Sequence, residues 1–372
     1  MDFFSQAGSF FTQIGDYIRI GLSVAFAFIM SLGQIIAPFT SNEAKLFEKW
    51  NENSKFETSY CAELKKDPDK DFVVLNLADV QLNDAELYDG QWDLAKATIK
   101  NAVKQAKPDL ITLTGDNAWG MLAYIELCKE IDSYGIPWAP VMGNHDGQRT
   151  PSEFWCAYQF TTAENCLFKF GPEGMGYGNY IINITENGRI IHTLFMMDTH
   201  SNADDNDEGK INRGEDGSAG YDHLWAGQLK WYEWAVNGIT ASAGKTVEST
   251  VFMHIPVCEY STYYAQYYDK ENDCWKNEYA DECFGVNHED VCCAHGNNGF
   301  FALCKNLGST KNMIVGHDHV NSSSMVVDGI RLSYGLKCGS GCYWEPEMSG
   351  ASTLTVSSGG TGTFEHVYIA AE

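Results

Sequence analysis

The chain has 372 residues, 44% hydrophobic, 13% aromatic and 20% charged, which is enough apolar material for a large core and too few charges for a disordered polymer. Its formal charge of -25 at pH 7 opposes polyanions and excludes a long nucleic acid held by phosphate contacts. Small phosphorylated molecules stay compatible, particularly where bound cations reverse the field locally.

The first 40 residues differ from the rest. Ile20 to Phe39 carries no charge and has about the length of a helix that spans a bilayer. Upstream, Phe3, Phe4, Phe10, Phe11, Ile14, Tyr17 and Ile18 recur near helical spacing, which suits an amphipathic interfacial segment. Asp2, Asp16 and a single Arg19 do not make the basic start of a cleaved signal peptide. Residues 1–40 are therefore expected to be a membrane anchor or signal segment, first an uncleaved anchor, with a hydrophobic helix packed on the domain as the alternative. Residues 41–69 read as a linker and 70–372 as one domain, membrane-anchored or secreted and facing the extracytoplasmic side.

After the leader, FVVLNLAD from Phe72 reads as a strand, WDLAKATIKNAVKQAK as an amphipathic helix, DLITLTGD as a strand and AYIELCKEIDSYG as a helix. PWAPVMGNHD begins as a strand and ends in polar residues. Further strands follow at YIINIT, IIHTLFMMD, STVFMHIP, KNMIVGHDH and GIRLSYGL. The alternation predicts α/β layering, with no internal repeat or Pro-rich linker to divide it.

Five of these strands end in residues able to bind metals: Asp79 and Gln81; Asp116; Asn144, His145 and Asp146; His254; His317 and His319. Side chains at strand ends are held rigidly by the sheet while the loops expose them, so five such ends can converge on one site. Asp79, Asp116, Asn144, His254, His317 and His319 combine carboxylate, amide and imidazole donors, a set suited to Zn, Mn or Fe. They are too many for one tetrahedral ion. Two ions about 3.5 Å apart, bridged by a carboxylate, would use them all and leave room for water and a phosphoryl oxygen. The expected chemistry is attack on phosphorus by a metal-activated hydroxide.

Asp79-x-Gln81, GDN at Gly115, GNHD at Gly143, His254 and GHDH at Gly316 together resemble the successive signatures of the calcineurin-like metallophosphoesterases, which include purple acid phosphatases. HIPVCEY at His254, CCAHGNNGFF and GHDHVN are most similar to the branch holding the Dcr-type phosphatases and plant purple acid phosphatase-like proteins. The resemblance implies an α/β, four-layer fold in which two mixed sheets form a sandwich flanked by helices. It also implies that Asp116 bridges the ions, Asp79 and His319 hold the first, and Asn144, His254 and His317 hold the second. His145 would face the phosphate, as acid or charge stabiliser. Two departures stand out. Trp119 replaces the tyrosine ligand of purple enzymes, so no tyrosinate colour band is expected. Gln81 replaces the usual histidine, as in the manganese-dependent ADP-ribose and CDP-alcohol diphosphatases, and is expected as a weak oxygen ligand or a residue behind the ligands. The expected function is a dinuclear phosphoesterase acting on phosphomonoesters or small phosphodiesters. A nucleotide-diphosphate pyrophosphatase and a non-catalytic phosphate-binding module are the alternatives.

Five other features remain. The acidic loop 201–223 holds Asp204 to Glu215, spaced like a calcium loop, which reads either as a mobile acidic loop or as a Ca site. Trp225, Trp231 and Trp234 sit at helical spacing and are expected in the core. The Cys/Tyr-rich insertion 258–297 carries Tyr260, Tyr263, Tyr264, Tyr267 and Tyr268, for a substrate pocket or a surface cap, and His295, a substrate contact or an ordinary loop histidine. Cys274, Cys283, Cys292, Cys293 and Cys304, with the pair Cys338 and Cys342, suggest disulfides, against buried thiols, and Asn183 and Asn321 open glycosylation sequons.

Overall fold

The computed structural model describes residues 32–203 and 220–369. The anchor expectation up to residue 31 and the calcium-loop expectation at Asp204–Glu215 lie outside the described residues. The chain divides into two compact units, Met1–Asn42 and Glu43–Glu372. In the first, residues 32–40 are helical. Among the described residues no helix is long and apolar enough to cross a membrane.

In the second unit, β1 (Ala62–Lys65), β2 (Phe72–Leu77) and β3 (Leu82–Asn83) precede helix α1 (Gln91–Ala106). Next come β4 (Leu110–Thr114), β5 (Ala118–Trp119), α2 (Met121–Asp132), β6 (Trp138–Val141) and α3 (Glu153–Phe160). Strands β7 (Tyr180–Glu186) and β8 (Arg189–Met196) form a hairpin, followed by α4 (Ala226–Ala243) and β9 (Glu248–Phe252). The insertion contributes α5 (Glu259–Tyr267), β10 (Tyr268–Asp269) and β11 (Cys274–Trp275). The chain closes with α6 (Phe300–Leu307), β12 (Thr310–Val315), β13 (Ser324–Val327), β14 (Ile330–Tyr334), β15 (Gly350–Val356) and β16 (Gly362–Tyr368).

These strands build two mixed sheets, in the orders β16-β15-β2-β4-β6 and β1-β7-β8-β9-β12-β14-β13, with two small pairs, β3-β5 and β10-β11. Hydrogen bonds tie one sheet to the other: the Tyr180 hydroxyl donates to Pro140 O at 2.7 Å, and Asn312 Nδ2 donates to Gly362 O at 3.2 Å. On the first sheet, α1 packs against β2 and β15 through Trp92, Ala95, Ile99 and Ala102, a stripe at helical spacing. The helix stops at Lys107, which takes a left-handed conformation before Pro108, a residue unable to continue it. On the other sheet, α4 buries Trp231, Tyr232, Ala235, Val236 and Ile239 in a cluster with Phe195, Val251 and Met313. Fully burying such an aromatic side chain contributes roughly 1.5–3 kcal/mol, so this helix is held by its packed face.

The structure corrects several expectations. The stretch 41–69 contains β1, which pairs parallel with β7 as an edge strand of the larger sheet. All twelve cysteines are free thiols. Residues close in sequence turn to different neighbours: Cys304 is buried beside Tyr232, Cys283 sits near Arg331 and Cys292 near Asp318, so no bridge closes among them. Both sequon asparagines, Asn183 and Asn321, are buried in the folded domain, so neither side chain is exposed there to carry a glycan. Trp231 is a core residue, Trp234 is partly buried against Phe56 and Tyr60, and Trp225 stacks on His200. Tyr260 is buried under the insertion, its hydroxyl donating to Met313 O, and Tyr264 and Tyr268 stack on each other; His295 lies against Gly220.

Candidate metal centre

Strands β2, β4 and β6 run parallel in one sheet, and β9 and β12 run parallel in the other. Their carboxyl ends meet, and each turns sharply into the loop that carries a donor. Ten described non-glycine residues have positive φ, and four of them are here: Asp79 (50°), Gln81 (43°), Asp116 (46°) and His317 (80°). Backbone strain of this kind persists only where the surroundings over-determine it, and the donors sit on those turns. Two glycines permit the close approach. A Cβ at Gly143 would collide with the backbone nitrogen of Asp116, and one at Gly316 would lie 2.6 Å from Asp79 Oδ2.

All six donors expected to hold ions come together, and all are buried. His254 Nδ1 lies 2.8 Å from Thr114 O, which only accepts, so the proton is on Nδ1 and Nε2 presents a lone pair. That Nε2 is 2.8 Å from Asn144 Oδ1, 3.2 Å from His317 Nδ1 and 3.3 Å from Asp116 Oδ1, while His317 Nδ1 is 2.9 Å from Asn144 Oδ1. Ligands placed tetrahedrally about 2.1 Å from an ion are about 3.4 Å apart, close to the edges from His254 to His317 and Asp116, while the two edges to Asn144 are shorter. A cation, more than a proton, suits such a gathering of acceptors. Asp79 and Asp116 also offer atoms within 4.8 Å of each other and of a His254 ring nitrogen. His319 turns Nδ1 to Tyr343 O at 3.1 Å and Nε2 to Asp79 Oδ1 at 3.7 Å, and the backbone nitrogen of His317 donates to the Asp79 carboxylate.

Burial pushes the Asp79 and Asp116 carboxyls up and holds the His254 and His317 imidazoles down, the latter well below the usual range. Burial, with Lys337 adding to it, lowers His319 to about 2. Neutral imidazoles and carboxylates crowded out of water form a donor set that fits divalent ions and that their charge would stabilise.

Of the two roles expected for Gln81, its hydrogen bonds fit the residue behind the ligands. Its Nε2 donates to Asp116 Oδ2 at 2.7 Å, and its Oε1 accepts from Lys337 Nζ at 3.4 Å. His145 contributes its backbone nitrogen to Asp116 Oδ1 at 2.9 Å, and its ring pairs through Nδ1 with Gln148 Oε1 at 2.7 Å. Trp119 lies beside that ring at 5.1 Å between centroids, with the Arg149 guanidinium 4.1 Å from the indole. Asp146, in the GNHD turn, is buried. It accepts from Asn117 N and Nδ2 and from Gly143 N, tying the loops after β4 and β6 together, and burial raises its carboxyl to about 7.

Sequence reasoning missed Lys337, Gln148, Arg149, Tyr221 and Tyr343. Lys337 had a signal: a lysine three residues beyond the apolar strand β14, at the same kind of strand end as the donors. Tyr221 and Tyr343, whose rings lie 4.4 Å from His317 and 4.3 Å from His319, come from loops without a pattern.

Residues 72–321, more than half of the chain, match the model of the calcineurin-like phosphoesterase family. The chain belongs to the calcineurin-like phosphoesterase family. Among its relatives is the Arabidopsis thaliana protein named "Probable inactive purple acid phosphatase 14", 26% identical over 256 residues, covering 63% of this chain and 60% of that protein. Another is Phosphatase DCR2 of Saccharomyces cerevisiae, 27% identical over 248 residues, covering 62% of this chain and 39% of that protein. The chain thus spans about 60% of the plant relative and less of the yeast one. A solved dimetal phosphatase from Danio rerio is similar at a TM-score of 0.48 and 14% identity, covering 81% of this chain and 100% of that one.

Proposed function

We propose that this calcineurin-like phosphoesterase hydrolyses small phosphorylated esters at the cluster running from Asp79 to His319. The observation that carries the reading is the convergence of Asn144 Oδ1, His317 Nδ1 and Asp116 Oδ1 on His254 Nε2, at 2.8, 3.2 and 3.3 Å, all atoms of metal-donor type. Divalent ions bound there, Mn, Fe or Zn by donor type, would supply Lewis acidity and a nucleophile at neutral pH. Asp116 would be shared between two ions, Asp79 and His319 would serve one side, and Asn144, His254 and His317 the other. His145 has the geometry of an acid: with Nδ1 engaged by Gln148, Nε2 is the nitrogen left to protonate a leaving oxygen or to hydrogen-bond a phosphoryl oxygen. Trp119 backs its ring, and Tyr221 and Tyr343 narrow the approach over the two histidines, which favours small substrates.

Purified full-length protein should hydrolyse an aryl phosphate, lose that activity to a chelator and recover it with Mn, Fe or Zn. Asp116→Ala should abolish it; full activity in that variant would sink the reading. Arg149 favours a second reading, because a substrate with a further anionic group, such as a nucleotide diphosphate conjugate, would find a cation beside Trp119. A panel pairing sugar phosphates with such conjugates separates the two. Stoichiometric metal without turnover of any ester would instead mark a phosphate-binding module.

A further inference from the structure

Lys337 is 3% exposed, and its Nζ donates to Asp79 O at 2.9 Å and to Gln81 Oε1 at 3.4 Å. Burial lowers its ammonium from the ordinary lysine value, and the neighbouring carboxylates of Asp79 and Asp116 oppose that shift. An ammonium only donates and a carboxylate only accepts, so an amide held between Lys337 and Asp116 can sit one way round: oxygen to the lysine, NH2 to the aspartate. The Gln81 backbone is pinned as well, its nitrogen donating to Asp116 O at 2.9 Å and Asn117 O at 3.1 Å.

We infer that Lys337 is a positioning residue, a built-in cation that makes Gln81 a hydrogen-bond donor to Asp116 and leaves the Asp79–His319 side as the weaker, exchangeable ion position. The inference rests on the metal-centre reading above and extends it. With its oxygen turned to Lys337, Gln81 gives no lone pair to an ion. That side keeps three donor residues, Asp79, Asp116 and His319, against four for the other, Asp116, Asn144, His254 and His317. The lysine charge also repels a cation on its own side, so both effects act in the same direction.

The test measures metal binding rather than turnover. Titration of the metal-free full-length chain with Mn2+, followed by calorimetry and by the electron paramagnetic resonance of free Mn2+, should show one tight and one weak position. In Lys337→Met, which keeps length and removes charge, the weak position should tighten by about 10- to 100-fold, the usual reach of residues that orient ligands, while the tight one changes less than about threefold. Two equal positions in the unaltered chain overturn the inference, and that measurement needs no variant to fold. So does a Lys337→Met protein whose weak position is unchanged or weaker. Absence of any bound Mn2+ overturns the metal-centre reading itself.

Discussion

Replacing Gly143 by alanine tests whether the site depends on the contact between the loops after β4 and β6. The added Cβ would overlap the backbone nitrogen and Oδ1 of Asp116. Ordinary contact needs about 3.5 Å, so one loop must retreat by more than about an ångström. Neither yields easily: Gly143 N is held by Asp146 Oδ2 at 2.7 Å, and Asn117 N by Asp146 Oδ1 at 2.8 Å. Overpacking of this size costs about 1–3 kcal/mol, which a domain with 5–15 kcal/mol of stability survives. The functional effect should be larger than the structural one. Moving Asn144 by about 1 Å relative to Asp116 separates donors now in contact around one position, and displacement of that order lowers turnover about 10²-fold. Urea unfolding, bound metal and aryl phosphate hydrolysis would be measured on one preparation. Gly359→Ala is the control, since the nearest atom to its Cβ would be Ser357 Oγ at 3.6 Å. A Gly143→Ala protein with unaltered metal content and turnover would refute the argument that this approach assembles the site.

Two further outcomes are expected. His145→Gln should lower turnover by about 10²- to 10⁴-fold while bound metal stays the same, because the backbone nitrogen of His145, not its ring, touches Asp116; parallel loss of metal would refute the assignment. His192 is buried between Gly360 O at 2.7 Å and Thr250 Oγ1 at 2.9 Å, and burial lowers its imidazole to about 4. Its folded value lies below the unfolded one of about 6.5. The stability that depends on the neutral ring is therefore complete above about pH 6.5 and lost as the pH falls toward 4, by up to roughly 3 kcal/mol. Urea unfolding across that window should show the loss, and His192→Gln should flatten it; an equal slope in the variant would exclude His192 as the cause.

What is legible in the sequence is local. An apolar run followed by a glycine and a polar ligand marks Asp116, Asn144 and His317 one at a time, and each strand reads from its own residues. The hairpin β15–β16 escapes such reading, because its Ser, Thr and Gly content hides the alternation that its pairing with β2 makes useful. Cysteine spacing likewise predicts bridges without saying which way each thiol faces: Cys293 turns to Cys258 and Cys304 to Tyr232. By itself the sequence determined the five strand ends and the donor types they carry, and hence the class of chemistry. Only the tertiary structure decided how the donors share their partners. Asp79 meets His317 across 238 residues, and Gln81 meets Lys337 across 256. A hydrogen bond between such distant groups exists only after the two sheets pack, so whether Gln81 offers its oxygen to an ion or to a lysine is a property of the fold.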